Sequence, residues 1–68
     1  MDNIDVRKYI VSNFKDSSMD EIKSSIVDSV TSGDDDTLIG LGVMFELLWN
    51  NSSKDEQNII LNNIKKGM

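Results

Sequence analysis

An almost entirely apolar segment occupies residues 38–49 and reads LIGLGVMFELLW. On a helical wheel, its apolar side chains cover most of the circumference, and only Gly42, Glu46 and Asn50 align as a narrow non-apolar strip. A helix that is apolar on nearly every side is either covered by neighbouring helices or forms one face of an oligomer. We therefore expect this segment to be a central helix that exposes only the Gly42–Glu46–Asn50 strip.

Three further segments carry apolar residues at helical spacing. The chain contains no proline, so Gly, Asn, Ser and Asp must end its helices. Ser18 with Glu21 and Ser53 with Glu56 match capping boxes, and Gly33 suits a left-handed C-cap. We predict an all-α fold in a single domain, residues 1–68. It is a compact bundle of four short helices around the apolar third helix, spanning residues 3–15, 18–32, 38–50 and 53–66.

The remaining helix ends have less specific signals. Asp2 or Asn3 can cap the first helix, Asp36 or Thr37 the third, and Gly67 can end the fourth. Short strands at residues 59–61 or 38–43 are a weaker alternative, because neither run lies beside a hairpin turn.

Composition excludes most catalytic chemistry. The chain has neither Cys nor His, so it can form no Ser–His–Asp or Cys–His arrangement and no thiolate or imidazole zinc site. We expect no enzymatic activity, no cofactor and no metal. A net charge of −5 argues against nucleic acid as a partner, because such binding needs a cationic face. A chain of 68 residues without disulfide or zinc often relies on oligomerisation, which leaves a homodimer or an unidentified protein partner open.

The apolar segment is too short to cross a membrane. Its 12 residues would form a helix of about 18 Å, against a hydrocarbon core of about 30 Å. The N-terminus begins Met-Asp-Asn-Ile-Asp and differs from the cationic start of a secretory signal. We therefore expect a soluble, intracellular protein with no membrane partner.

Two glycines inside the segment suggest a dinucleotide-binding loop. That fingerprint requires a preceding strand and a third glycine, and Phe45 occupies the third position. We therefore favour a structural role. Gly40 and Gly42 each weaken a helix by about 1 kcal/mol relative to Ala, so we expect them to allow a close approach of another helix or a tight turn.

Three consecutive carboxylates, Asp34–Asp36, resemble a cation site only superficially. A calcium loop places its ligands at alternate positions around a glycine, whereas adjacent side chains point in different directions. We interpret this run as a solvated turn that favours the positive N-terminal end of the third helix.

Glu46 is the one charge within the apolar segment. A buried carboxylate with a raised pKa would be a general-acid candidate, but no second catalytic group accompanies it. We expect a surface or ion-paired glutamate, with Lys23 or Lys54 as the partner.

The large side chains of the third helix form i, i+4 pairs that suit either a core or a recognition surface. We favour the core, because so small a domain needs its largest side chains there. The candidate core or interface residues are Leu41, Met44, Phe45, Leu48 and Trp49.

The motif Gly-Leu-Gly-Val-x-Phe-Glu-x-x-Trp at residues 40–49 resembles the small acid-soluble spore protein I family of endospore-forming bacteria. The resemblance covers nearly the whole chain and includes Ile26-Val27-Asp28 and the Ser32-Gly33 turn with the acidic residues that follow it. The family commonly has proline where this chain has Ile39, and proline suits the first turn of a helix.

This resemblance implies a sporulation protein that is made in the forespore cytoplasm and retained in the spore core. It implies a minor class, distinct from the abundant DNA-coating spore proteins, and it brings no catalytic or ligand residues. The alternative is a helical protein-interaction or dimerisation module that uses the hydrophobic third helix.

Overall fold

Four α-helices and no β-strand make up residues 5–68, which are the residues that the computed structural model describes. This arrangement confirms the predicted all-α bundle. The strand alternative is wrong, because residues 38–43 and 59–61 lie inside helices. The helices are α1 (Val6–Phe14), α2 (Met19–Ser32), α3 (Asp36–Asn50) and α4 (Lys54–Lys66).

Both predicted capping boxes are present. The Ser18 hydroxyl accepts from the Glu21 N–H at 3.1 Å, and the Ser18 N–H donates to the Glu21 carboxylate at 2.8 Å. Ser53 and Glu56 repeat the exchange at 3.2 and 2.7 Å. Gly33 ends α2 with a φ of 68°, which confirms the left-handed C-cap.

Helix α1 begins later than the sequence pattern suggests. Asp5 is its N-cap, and a carboxylate oxygen of Asp5 accepts from the Lys8 N–H at 3.1 Å. Because this bond satisfies a donor of the first turn, the helix begins at Val6 rather than at residue 3. The two predicted caps, Asp2 and Asn3, lie outside the described residues.

Helix α3 begins earlier than predicted, at Asp36. The N–H groups of Thr37 and Leu38 donate to the carbonyls of Asp34 and Asp35, so residues 36 and 37 already belong to the first turn. Asp36 and Thr37 are therefore not the N-cap. That position belongs to Asp35, whose side chain makes no capping hydrogen bond. At the other end of the chain, Gly67 ends α4 by donating its N–H to the Ile64 carbonyl.

Helix α3 is the centre of the bundle, and α1 and α2 pack against it. Val43 is the one side chain in residues 5–68 that is buried, with 7% of its surface exposed. Leu38 and Ile39 are each 60% exposed, so the prediction that α3 exposes only the Gly42–Glu46–Asn50 strip is wrong. Two neighbouring helices, α1 and α2, cannot cover every side of a helix that is apolar around most of its circumference.

Helix α4 follows α3 after a short turn. The Gln57 side-chain amide donates to the Trp49 carbonyl at 3.1 Å and so ties the start of α4 to the end of α3. A Cβ atom at Gly40 or at Gly42 would meet nothing within 4 Å. The prediction that these glycines admit a close neighbour is therefore wrong.

Candidate functional site

An apolar groove lies among α1, α2 and α3 and encloses about 350 Å³. Each helix contributes apolar side chains that are three or four residues apart and therefore share one helix face. We call this depression the apolar groove. Its lining residues are Ile10, Val11, Phe14 and Lys15 from α1, Ile22 and Ile26 from α2, and Met44 and Leu47 from α3.

A smaller depression of about 180 Å³ adjoins the groove, because the two share Ile10, Phe14, Ile26 and Met44. The additional lining residues are Ser25, Ser29, Gly40 and Leu41. Among residues 5–68, Lys15 is the one ionisable side chain that lines either depression, and no carboxylate of that range does. The groove therefore offers apolar contact area rather than a pair of groups that could exchange a proton.

The five predicted core or interface residues separate onto different parts of α3. Leu41 and Met44 are half-buried and line the depressions between α1 and α2. Phe45 and Leu48 are exposed, and Trp49 is half-buried. No single cluster gathers all five, because their positions spread over an arc of about 140° of the helix, with Met44 at one end and Trp49 at the other.

Phe45 and Trp49 form an aromatic pair beside α4. Their ring centroids are 5.9 Å apart with an interplanar angle of 23°, which is a stacked arrangement. With Leu61 of α4 they border an open depression of about 400 Å³. Glu46 and Asn50 also line it, so this depression is more polar in character than the apolar groove.

Glu46 is ion-paired to Arg7 of α1. The Arg7 Nε donates to Glu46 Oε1 at 2.7 Å, and Nη2 donates to Oε2 at 2.9 Å. This hydrogen bonding lowers the pKa of Glu46 below its ordinary value of 4.5 and raises the pKa of Arg7. An ion-paired surface glutamate was predicted, but its proposed partners, Lys23 and Lys54, are wrong.

The acidic run at residues 34–36 is exposed: Asp34 and Asp35 lie in the turn between α2 and α3, and Asp36 is the first residue of α3. The Thr37 hydroxyl closes this turn by donating to the carbonyls of Asp34 at 2.7 Å and Ser29 at 3.2 Å. Across residues 5–68, no group of three or more acidic side chains is placed to hold a metal ion. In the same range, none of the helices combines the length and the apolar character needed to span a membrane.

Sequence reasoning missed three features of this surface. Val43 is the buried contact of α3, Arg7 is the partner of Glu46, and α1 and α2 supply most of the groove. The i, i+4 spacing of Ile22 and Ile26 marked an apolar face of α2. No signal in the sequence indicated Arg7, which lies 39 positions from its partner.

Comparison with known proteins identifies the family. The model of the family described as small, acid-soluble spore protein I matches residues 4–68. Curated relatives with that name match over 66 residues, which is 97% of this chain. The relative from Bacillus cytotoxicus is 32% identical with 94% of its length covered. The relatives from Bacillus velezensis and Halalkalibacterium halodurans are each 33% identical, with 93% and 97% covered.

No solved structure matches the chain. The relatives bear a spore protein's name and are matched over nearly their full length, so the assignment applies to the chain as a whole. The chain belongs to the small, acid-soluble spore protein I family.

Proposed function

We propose that this member of a spore protein family is a non-enzymatic protein of the spore core, made in the forespore. The family match over residues 4–68 carries the proposal, since it indicates a spore protein. The chemistry of the groove supports the non-enzymatic part, because the described residues that line it are apolar apart from Lys15. Such a surface binds other apolar surfaces through the hydrophobic effect.

Localisation is tested by immunoblotting three samples from one sporulating culture: growing cells, intact spores and spores stripped of their coats. We expect the protein to be absent from growing cells and to remain in the stripped spores. A spore-coat protein serves as the control for removal of the coats. Loss of the signal with the coats, or equal abundance in growing cells, would overturn the assignment.

The non-enzymatic role is tested by dosage. A deletion strain is complemented with graded amounts of the protein, and spore heat resistance and outgrowth are scored. If the protein acts by binding a partner, its effect on heat resistance and outgrowth should fall in proportion as its amount is lowered. A catalyst keeps most of its effect at low abundance, and that result would contradict the proposal.

A second candidate function is a protein-interaction or dimerisation module that uses the hydrophobic α3. The exposure of Leu38, Ile39, Phe45 and Leu48 favours it, because a monomer gains nothing from large apolar side chains in water. Sedimentation of the purified protein tests self-association, and a strictly monomeric protein would exclude a homodimer.

A further inference from the structure

We propose that α4 is a lid, which opens as a unit about the turn at residues 51–53 while α1, α2 and α3 stay folded. Opening uncovers the Phe45–Trp49 pair, which borders one depression together with Leu61 of α4. The proposal concerns the folded chain itself and does not depend on where the protein resides. Three observations carry it: the sparse packing of α4, the hydrogen bonding that is complete on each side of the turn, and the single side-chain bond across it.

Helix α4 has much less packing than the other helices. Both α1 and α2 pack against α3, whereas the contacts of α4 with the rest of residues 5–68 are sparse. Gln57 and Ile60 are the half-buried residues of α4, and its other residues are exposed, including Ile59 at 59% and Leu61 at 50%. Opening α4 therefore exposes little further apolar surface to water, and its free-energy cost is a small part of the cost of global unfolding.

Helix α4 supplies the hydrogen-bond partners of its own ends. The Ser53–Glu56 capping box closes its first turn, and the Gly67 N–H donates to a carbonyl of its last turn. Lys65 and Lys66 lie in that last turn, where cations offset the helix dipole. None of these interactions requires a residue of α1, α2 or α3, so α4 forms or melts as one unit.

The C-terminal end of α3 is likewise complete without α4. The Asn51 side-chain amide donates to the Leu47 carbonyl at 2.8 Å, and the Ser52 hydroxyl donates to the Leu48 carbonyl at 2.6 Å. Both donors belong to the turn that follows α3. They therefore keep the last carbonyls of α3 paired when α4 opens.

One latch joins the two sides of the turn. Among residues 5–68, the bond from the Gln57 side-chain amide to the Trp49 carbonyl, at 3.1 Å, is the one side-chain hydrogen bond between α4 and the other three helices. The Trp49 carbonyl also accepts from the Ser52 N–H at 3.3 Å, so it keeps a donor when Gln57 leaves. Breaking the latch therefore leaves no acceptor of α3 without a partner.

Residue-resolved hydrogen exchange of the whole chain in low concentrations of urea tests the proposal. An isolated helix of 13 residues is marginal in water, so the amides of α4 exchange once the helix has left α3. We expect the opening equilibrium constant of residues 58–66 to exceed that of residues 23–32 in α2 by at least about tenfold. It should also depend less steeply on urea, because opening exposes little surface. One common equilibrium constant and one common urea slope for the two helices would overturn the proposal.

The two capping boxes provide a matched pair of variants. Ser53→Ala weakens α4, which is lost in both the partial and the global opening, so exchange should accelerate about fivefold in α4 and in α2. Ser18→Ala weakens α2, which stays folded when α4 opens, so exchange should accelerate about fivefold in α2 and stay unchanged in α4. Equal acceleration of both helices by Ser18→Ala would mean that α4 opens only with the whole fold, contrary to the proposal. The urea dependence of the wild type needs no substitution and decides the matter if a variant fails to fold.

Discussion

Arg7 of α1 and Glu46 of α3 form a bidentate ion pair across 39 positions of the chain. The guanidinium of Arg7 makes two parallel hydrogen bonds to one carboxylate, the geometry in which such pairs are most specific. The side chains are 71% and 44% exposed, so water screens the attraction. The pair therefore orients α1 on α3 more than it stabilises the fold.

We expect Glu46→Gln to cause a small loss of stability that disappears at high salt. At about 1 M salt the screening length falls to about 3 Å, and an exposed pair contributes little. Urea denaturation of the wild type, Glu46→Gln, Arg7→Gln and the double variant forms a double-mutant cycle. We expect either substitution to lower the free energy of unfolding less in a chain that already carries the other substitution than in the wild type. Strictly additive effects would show that the pair does not interact in solution.

Stability should fall as the pH drops below about 4.5. The pKa values of Glu21 and Glu56 are lowered chiefly by hydrogen bonds from the backbone N–H groups of Ser18 and Ser53, and the Glu46 pKa is lowered by Arg7. A lowered folded-state pKa means that the native state binds fewer protons than the unfolded state. The stability that each of these glutamates contributes is therefore fully present above its unfolded-state pKa. That stability is lost as the pH falls through the folded-state pKa.

A variant with Glu21→Gln and Glu56→Gln isolates this effect. Glutamine can keep both capping-box hydrogen bonds but does not titrate. Urea unfolding followed by the fluorescence of Trp49, the one tryptophan, should therefore show a shallower loss of stability in acid than in the wild type. An unchanged pH profile would mean that these two glutamates do not contribute.

Removing either serine cap should destabilise the protein by about 1 kcal/mol. Ser18→Ala and Ser53→Ala each leave one N–H of the first helical turn without its side-chain acceptor. Ser24→Ala on the exposed side of α2 is the matched control, and it should be neutral or slightly stabilising because alanine favours helix. Urea denaturation measures all three variants, and equal effects at Ser18 and Ser24 would contradict a capping role.

Alanine substitutions at Gly33 and at Gly42 should change the stability of the protein in opposite directions. Gly33→Ala places a Cβ on a residue with a φ of 68° and should cost about 1 kcal/mol. Gly42→Ala fills open space inside α3 and should stabilise the helix by up to about 1 kcal/mol. Thermal unfolding distinguishes the two outcomes. A destabilised Gly42→Ala would contradict the open space around this residue.

Local interactions explain why sequence reasoning placed α2 and α4 accurately. A capping box joins residues that are three positions apart, and a left-handed C-cap needs a single glycine. These signals require no contact with a distant part of the chain, so the sequence alone locates them. The residues concerned are Ser18, Glu21, Gly33, Ser53 and Glu56. The start of α3 was misplaced by two residues because the acidic turn itself enters the helix. At this end, Asp34, Asp35, Asp36 and Thr37 are all residue types that suit an N-cap, so the sequence pattern does not single out one of them.

The sequence by itself determined the helical class, the turn at Gly33 and the family, because each depends on residues that are neighbours along the chain. Only the tertiary structure decided which side of the segment at residues 38–49 is covered. The apolar pattern of α3 is nearly uniform and prefers no direction, so the packing of α1 and α2 made the choice. That choice buried Val43, paired Glu46 with Arg7 and left the apolar groove open.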